Sequence, residues 1–185
     1  MLVKLKKNES TFNTSSILSK YPDLEVLEIM AKHPVSLTID LSQAKNLKKL
    51  YLYGSTKNCS INSCTALEKL EILKVRGFTS AEVINLADHA NTQILQLAHC
   101  GLRTLPTWCC QLAQLHTLEL QGNSLEDLPN EFEWLIRLKR LNLDKNLFKY
   151  IPRVLLSTKN LNHLSIDGNE IAKDEFNNFI TNLNI

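Results

Sequence analysis

The sequence predicts an α/β solenoid, a coil of short parallel strands rather than a globule around one centre. Three observations predict it. Leucines recur at intervals of about 23 residues, four of the five glycines share one phase of that interval, and proline closes three successive units at the same place. A fixed period of this length marks units that cannot bury an apolar face alone and do so by stacking.

The clearest unit is Leu115–Pro129, LHTLELQGNSLEDLP. Numbering its positions as slots, leucine fills slots 1, 4, 6, 11 and 14, Asn123 slot 9 and Pro129 slot 15. The next copies are Leu138, Leu141, Leu143, Asn146, Phe148, Ile151, Pro152, and then Leu161, Leu164, Ile166, Asn169, Ile171. The preceding copy is Thr92, Leu95, Leu97, Cys100, Leu102, Leu105, Pro106. The first half is more degenerate but in phase, so that slot 4 runs Leu27, Leu50, Leu73, Leu95, Leu118, Leu141, Leu164, in steps of 23, 23, 22, 23, 23 and 23. These copies of L-x-x-L-x-L-x-x-N/C-x-L resemble the leucine-rich repeat family. Their LP endings resemble its 23-residue intracellular and bacterial classes.

The resemblance implies a curved, right-handed superhelix, with a parallel sheet on the concave face and irregular or short helical segments on the convex face. It divides the chain, as one domain, into an N-terminal capping half-repeat (1–23), seven repeats (24–46, 47–69, 70–91, 92–114, 115–137, 138–160, 161–173) and a C-terminal capping helix (174–185).

Each element has its own reason. In the first unit Val3, Leu5 and Asn8 read as a truncated strand and turn, with Leu18 and Tyr21 pointing back inward. Within the repeats, slots 4 and 6 alternate as in a strand, so both side chains face one side. Slot 8 holds Gly54, Gly77, Gly122 and Gly168, where a sharp turn needs φ > 0 or a close backbone approach. One glycine per repeat does not make a phosphate-cradling loop. At slot 9 the resemblance implies an Asn whose amide bonds neighbouring coils. Lys32, Ser55 and Phe78 stand there instead, so a poorer ladder is expected in the N-terminal half. Slots 18 and 21, such as Leu41 and Ala44 or Phe132 and Leu135, return inward along the convex side. Last, Phe176, Phe179, Ile180 and Leu183 follow i, i+3, i+4, i+7, one face of a helix.

Composition narrows the function. Among 185 residues, 44% hydrophobic content supports a sizeable core. A net charge of +2 argues against nucleic-acid and membrane-surface partners, which call for a strong basic excess. No apolar run approaches the roughly 18 residues of a membrane span, and the first residues lack a signal-peptide core. A monomer is expected in the cytoplasm, or delivered out of the cell without a standard signal peptide. Five cysteines, an odd number, suit a reducing compartment. Cys64, Cys100 and Cys109 fall in core slots, which leaves Cys59 and Cys110 reachable and no convergent metal site. His33, His99 and His163 occupy surface slots, and His116 begins no H-E-x-x-H. No nucleophile elbow or triad order is present, so neither catalysis nor a cofactor is expected.

The odd slots 3, 5 and 7 point away from the core and are free to meet a partner. In repeats two and three they present Lys49, Tyr51, Tyr53, Ile72, Lys74 and Arg76. Gln96 follows, and the later repeats present Glu119, Gln121, Asp144 and Asp167. Val26, Met30, Ile94 and Ala98 share these slots. Tyrosine and arginine anchor protein interfaces, and exposed aromatics on a strand face cost solubility. The family resemblance implies the same role, a protein or peptide bound in the concave face. The LP repeats and the Asn-, Lys- and Ile-rich composition suggest a bacterial source and a host-directed effector or an adaptor. The alternatives are a subunit of a larger assembly that docks through Trp108, Cys110 and Trp134 on the convex side, and an enzyme with Lys74 or a histidine as base.

Overall fold

A computed structural model describes residues 1–5, 11–62, 67–78, 91–175 and 179. Its strands are β1 (Leu2–Leu5), β2 (Thr11–Asn13), β3 (Val26–Asp40), β4 (Lys49–Asn62), β5 (Ile72–Phe78), β6 (Ile94–Ala98), β7 (Thr117–Glu119), β8 (Arg140–Asn142) and β9 (His163–Ser165). All pair in parallel in the order β1-β3-β4-β5-β6-β7-β8-β9, with β2 also on β3. A short α-helix, α1 (Ser15–Lys20), follows β2.

The slot-4 leucines are cross-strand partners throughout: Leu27 opposes Leu50, Leu50 opposes Leu73, and the row continues through Leu95, Leu118, Leu141 and Leu164. From Leu27 to Leu141 they are essentially inaccessible. Burying each such side chain is worth about 1.5–3 kcal/mol. Thr92 replaces leucine at slot 1 of the fourth repeat. It stays buried by donating its hydroxyl to the Leu70 carbonyl at 3.2 Å.

Slot 8 is where each coil turns. Gly77, Gly122 and Gly168 have φ of 79°, 72° and 71°, and Gly54 has 141°. His99 and Lys145, in the same slot, are the two non-glycine residues with positive φ among the described residues, both at 55°. The turn then exposes carbonyls that slot 9 collects. Asn123 Nδ2 donates to Leu97 and Leu120 carbonyls, both at 2.7 Å, and its Oδ1 accepts from the amides of Cys100 and Leu102. Asn146 and Asn169 repeat the two carbonyl bonds one and two coils on, and each Oδ1 accepts from one amide, that of Leu125 and of Phe148. Cys100 keeps a weaker version, its thiol donating to the Val75 carbonyl at 3.7 Å.

The N-terminal half differs from expectation. Instead of a poor ladder past slot 9, β3 and β4 run on for 15 and 14 residues, around the corner and along a second face. After irregular register near Ala31 and Val35, Ser36 opposes Asn58, and the pairing holds to Asp40 opposite Asn62. β2 extends this second ladder by pairing Thr11–Asn13 with Ser36–Thr38. The physical reason is period-two alternation, which suits a half-buried strand. VSLTIDL, residues 35–41, alternates apolar with polar, and backbone pairing there replaces the missing asparagine.

On the convex side the later repeats carry 3₁₀ turns at Thr107–Gln111, Asn130–Trp134 and Arg153–Ser157, each following the LP proline. Slots 18 and 21 face in as expected, with Phe132, Leu135 and Leu155 buried. Three side chains do not sit as expected. Tyr21 is 44% exposed, because the chain leaves α1 at that point and only Leu18 reaches the core. Cys110 is buried, because the 3₁₀ turn carries Trp108, Cys109 and Cys110 inward together. Ala98 is buried although its slot faces the concave side, its methyl being short beside its cross-strand neighbour Arg76. Val3 lies in β1 opposite Ile29. Asn8, Cys64, Ala87, Ala90 and most of the expected capping helix fall outside the described residues. Lys173–Glu175 is helical and Phe179 is buried.

Candidate functional site

The register that stacks the leucines also aligns the side chains between them. Slot 5 reads Glu28, Tyr51, Lys74, Gln96, Glu119, Asn142, Ser165 as consecutive cross-strand partners. Slot 7 begins Met30, Tyr53, Arg76, Ala98, and slot 3 reads Val26, Lys49, Ile72, Ile94, Thr117, Arg140, His163. The face is three rows wide, and Lys49, Tyr51, Tyr53, Ile72, Lys74, Arg76, Gln96 and Glu119 stand in its paired strands, while Gln121, Asp144 and Asp167 follow two residues after the ends of β7, β8 and β9. Lys49, Tyr51, Tyr53, Ile72, Lys74, Gln96, Glu119, Gln121 and Asp144 are half-buried, and Arg76 and Asp167 are exposed. Val26, Met30 and Ile94 are half-buried too, which makes them flanks rather than protruding anchors.

Tyr51 and Tyr53, two residues apart on one strand, stack with centroids 6.2 Å apart and planes within 8°. Lys74 stands beside Tyr51 and Arg76 beside Tyr53 on the next strand. Glu28 stands on the other side of Tyr51, a neighbour that sequence slots contained but composition did not single out. Burial first, then the Glu28 and Tyr51 charges, push the Tyr53 phenol above its usual range, so it remains a neutral hydrogen-bond donor near neutral pH. Among the described residues the single ion pair is Lys48–Glu25 at 2.7 Å, in slot 2 at the sheet edge. The cations Lys49, Lys74 and Arg76 therefore have no carboxylate in contact.

The later repeats are organised by internal hydrogen bonds. Gln96 Nε2 donates to Glu119 at 2.7 Å. Asp144 Oδ1 accepts from Ser165 Oγ at 2.7 Å and from the Asp167 amide at 2.8 Å, which fixes its carboxylate toward the seventh repeat. Gln121 Oε1 is buried with no partner. The half-buried Asp144 and the exposed Asp167 thus stand on adjacent coils, opposite in sign to the tyrosine end.

On the convex side, Trp108 is buried with its indole N–H unpartnered, while Trp134, Ile136 and Leu156 are 53%, 65% and 46% exposed. Cys100, Cys109 and Cys110 are free thiols. Burial pushes Cys100 up to about 11 and Cys110 up to about 12, so neither is a nucleophile at neutral pH. The Cys59 side chain lies outside the described ones. Among the described residues, no three His, Cys, Asp or Glu side chains converge as a metal site, and no helix is long and apolar enough to cross a membrane.

No protein-family model matches the chain. Its backbone is similar to that of a leucine-rich-repeat protein of Leptospira interrogans, with TM-score 0.72 and 29% identity over 87% of this chain and 41% of that one. The chain has the leucine-rich-repeat fold. A Listeria monocytogenes internalin shares the repeat fold at TM-score 0.66 and 22% identity, over 94% of this chain and 49% of its own. Among curated proteins, the leucine-rich-repeat chain is 27% identical over 159 residues to the rat volume-regulated anion channel subunit LRRC8D. That match covers 69% of this chain and 18% of the channel subunit. A zebrafish leucine-rich-repeat-containing G-protein coupled receptor 6 is 40% identical over 87 residues, which cover 46% of this chain and 9% of the receptor. The repeat chain therefore spans less than a fifth of the length of these two curated relatives.

Proposed function

We propose that this chain is a binding module, not an enzyme, and that it holds a protein or peptide in its concave face as a single repeat domain. The observation that carries this reading is the stacked Tyr51–Tyr53 pair bordered by Lys74 and Arg76, with no carboxylate among the described residues in contact with either cation. Two rigid aromatic rings supply contact area at low entropic cost, and adjacent unpaired cations supply orientation. The free, buried cysteines support a monomer working in a reducing compartment such as the cytoplasm. A bacterial source is supported by the similar Leptospira and Listeria structures, and the effector role rests on the LP-type repeats and the Asn-, Lys- and Ile-rich composition.

The test is affinity capture with the intact protein and with Tyr51→Ala/Tyr53→Ala/Arg76→Ala, each checked by circular dichroism. The expected result is a folded triple variant that loses a specific partner. Retention of every partner by the folded variant removes the assignment. A second reading is favoured by the exposed Trp134 and Ile136. It assigns docking to the convex side, within a larger assembly, and a Trp134→Ala/Ile136→Ala variant in the same capture separates the two.

A further inference from the structure

The concave face is electrically polarised along the stack. Its early end sets Lys49, Lys74 and Arg76 against Glu28. Its late end sets Glu119, Asp144 and Asp167 against Arg140. Each end is left with unmatched charge, positive at the tyrosines and negative at Asp144 and Asp167. The late charges are not incidental to folding. Asp144 is locked in place by Ser165 and the Asp167 amide, while Asp167 itself is exposed. Two ends of opposite sign on one open face select for a ligand whose own charges are segregated.

We propose that the concave face binds an extended, charge-segregated peptide segment of a partner protein, with acidic and aromatic residues over Tyr51, Tyr53, Lys74 and Arg76 and basic residues over Asp144 and Asp167. This rests on the concave-face reading above and specifies its ligand. Geometry sets the spacing. The middle of the second and third repeats lies four strands from the middle of the sixth and seventh. At about 4.8 Å per strand the separation is about 19 Å, which an extended chain crosses in about six residues. The acidic and basic groups of the ligand should therefore stand about six positions apart. Charge at both ends also penalises a uniformly charged polymer, because a polyanion that meets the tyrosine end is repelled at the other.

The experiment is fluorescence anisotropy with synthetic peptides. Each carries an Asp-Asp-Tyr head and a Lys-Lys tail, separated by a Gly/Ser spacer of about zero, three or eight residues, so that the acidic and basic pairs stand about three, six or eleven positions apart. The three-residue spacer is expected to bind at least about tenfold more tightly than the peptide with none, and to weaken as salt is raised. Lys74→Glu/Arg76→Glu and Asp144→Lys/Asp167→Lys should each cost it about tenfold. These positions are on the open face, and circular dichroism reports whether either variant unfolds. The spacer series on the unaltered protein stands independently of the variants. Three outcomes overturn the proposal. Binding lost with Tyr51→Ala/Tyr53→Ala but indifferent to spacer and to Asp144→Lys/Asp167→Lys keeps the concave site and removes its charge code. Peptide binding unaffected by the tyrosine variant removes the concave site as well. Tighter binding of a single-stranded oligonucleotide than of any peptide, improved by Asp144→Lys/Asp167→Lys, assigns the basic end to nucleic acid.

Discussion

At slot 8 the repeating feature is a backbone conformation rather than a residue type. The chain meets it with glycine in the second, third, fifth and seventh repeats and with His99 and Lys145 in the fourth and sixth. A left-handed L-residue costs about 1–2 kcal/mol, and the extra unfolded-state entropy of glycine offsets about 0.5–1 kcal/mol of any relief. Lys145→Gly is therefore expected to stabilise by about 0.5–1 kcal/mol, read as a rise of roughly 1–4 °C in thermal unfolding. The opposite change, Gly122→Ala, drives a methyl into the His99 imidazole and should lower the midpoint. Four of these positions were legible as glycine in the sequence. The other two were not, because a histidine and a lysine carry no signal of positive φ.

Cys100 shows the same substitution logic at slot 9. A thiol has one proton to donate where asparagine has two donors and an acceptor, so Cys100 takes only the carbonyl half of the role. Burial raises its pKa to about 11 from an ordinary 9.0. The sign follows. The folded thiol resists ionisation, so its contribution is complete below the unfolded pKa and is lost as pH rises toward the folded one. Stability is expected to fall between pH 9.0 and about 11, and by less in Cys100→Ala, as measured by denaturant melts at the two ends of that range.

At the scale of elements, strand length divides the molecule. The fifth to seventh repeats spend three residues on each strand and close the corner with asparagine, and the fourth spends five and closes it with Cys100. The early ones have no asparagine and continue as strand. A repeat template looks for consensus residues and treats Lys32 and Ser55 as defects. The alternation in VSLTIDL was visible beside them and names the structure that takes over. Ile39 is fully buried and Thr38 is not. Ile39→Ala should therefore destabilise by about 2–5 kcal/mol, and Thr38→Ala by about 0.5 kcal/mol or less. Equal losses from the two in chemical denaturation would contradict the second ladder. Cys110 was misplaced for a related reason. Slot arithmetic assigns one inward position to that stretch, whereas a 3₁₀ turn at three residues per turn presents a different set.

At the scale of the whole molecule, each coil contacts its neighbours and the face is the sum of their outward slots. This is why the candidate site was legible at all. Once the leucine phase is known, parity alone assigns Tyr51, Tyr53, Lys74 and Arg76 to one surface. Parity carries no information about pairing, so the stacking geometry of the tyrosines, the Gln96–Glu119 bond and the fixing of Asp144 by Ser165 needed coordinates. The same limit applies to the convex side, where Trp108 and Trp134 look alike in sequence and end up buried and exposed. The two faces compete as docking surfaces, and they lie on different peptides of the chain. The most direct measurement is amide hydrogen exchange on the protein with and without a captured partner. Slowed exchange along the concave face, at residues 49–53, 72–76 and 94–98 and onward to 140–144 and 163–167, is the expected result. Protection concentrated at 130–136 and 153–157, with the strands unchanged, would place the partner on the convex face and contradict the concave site.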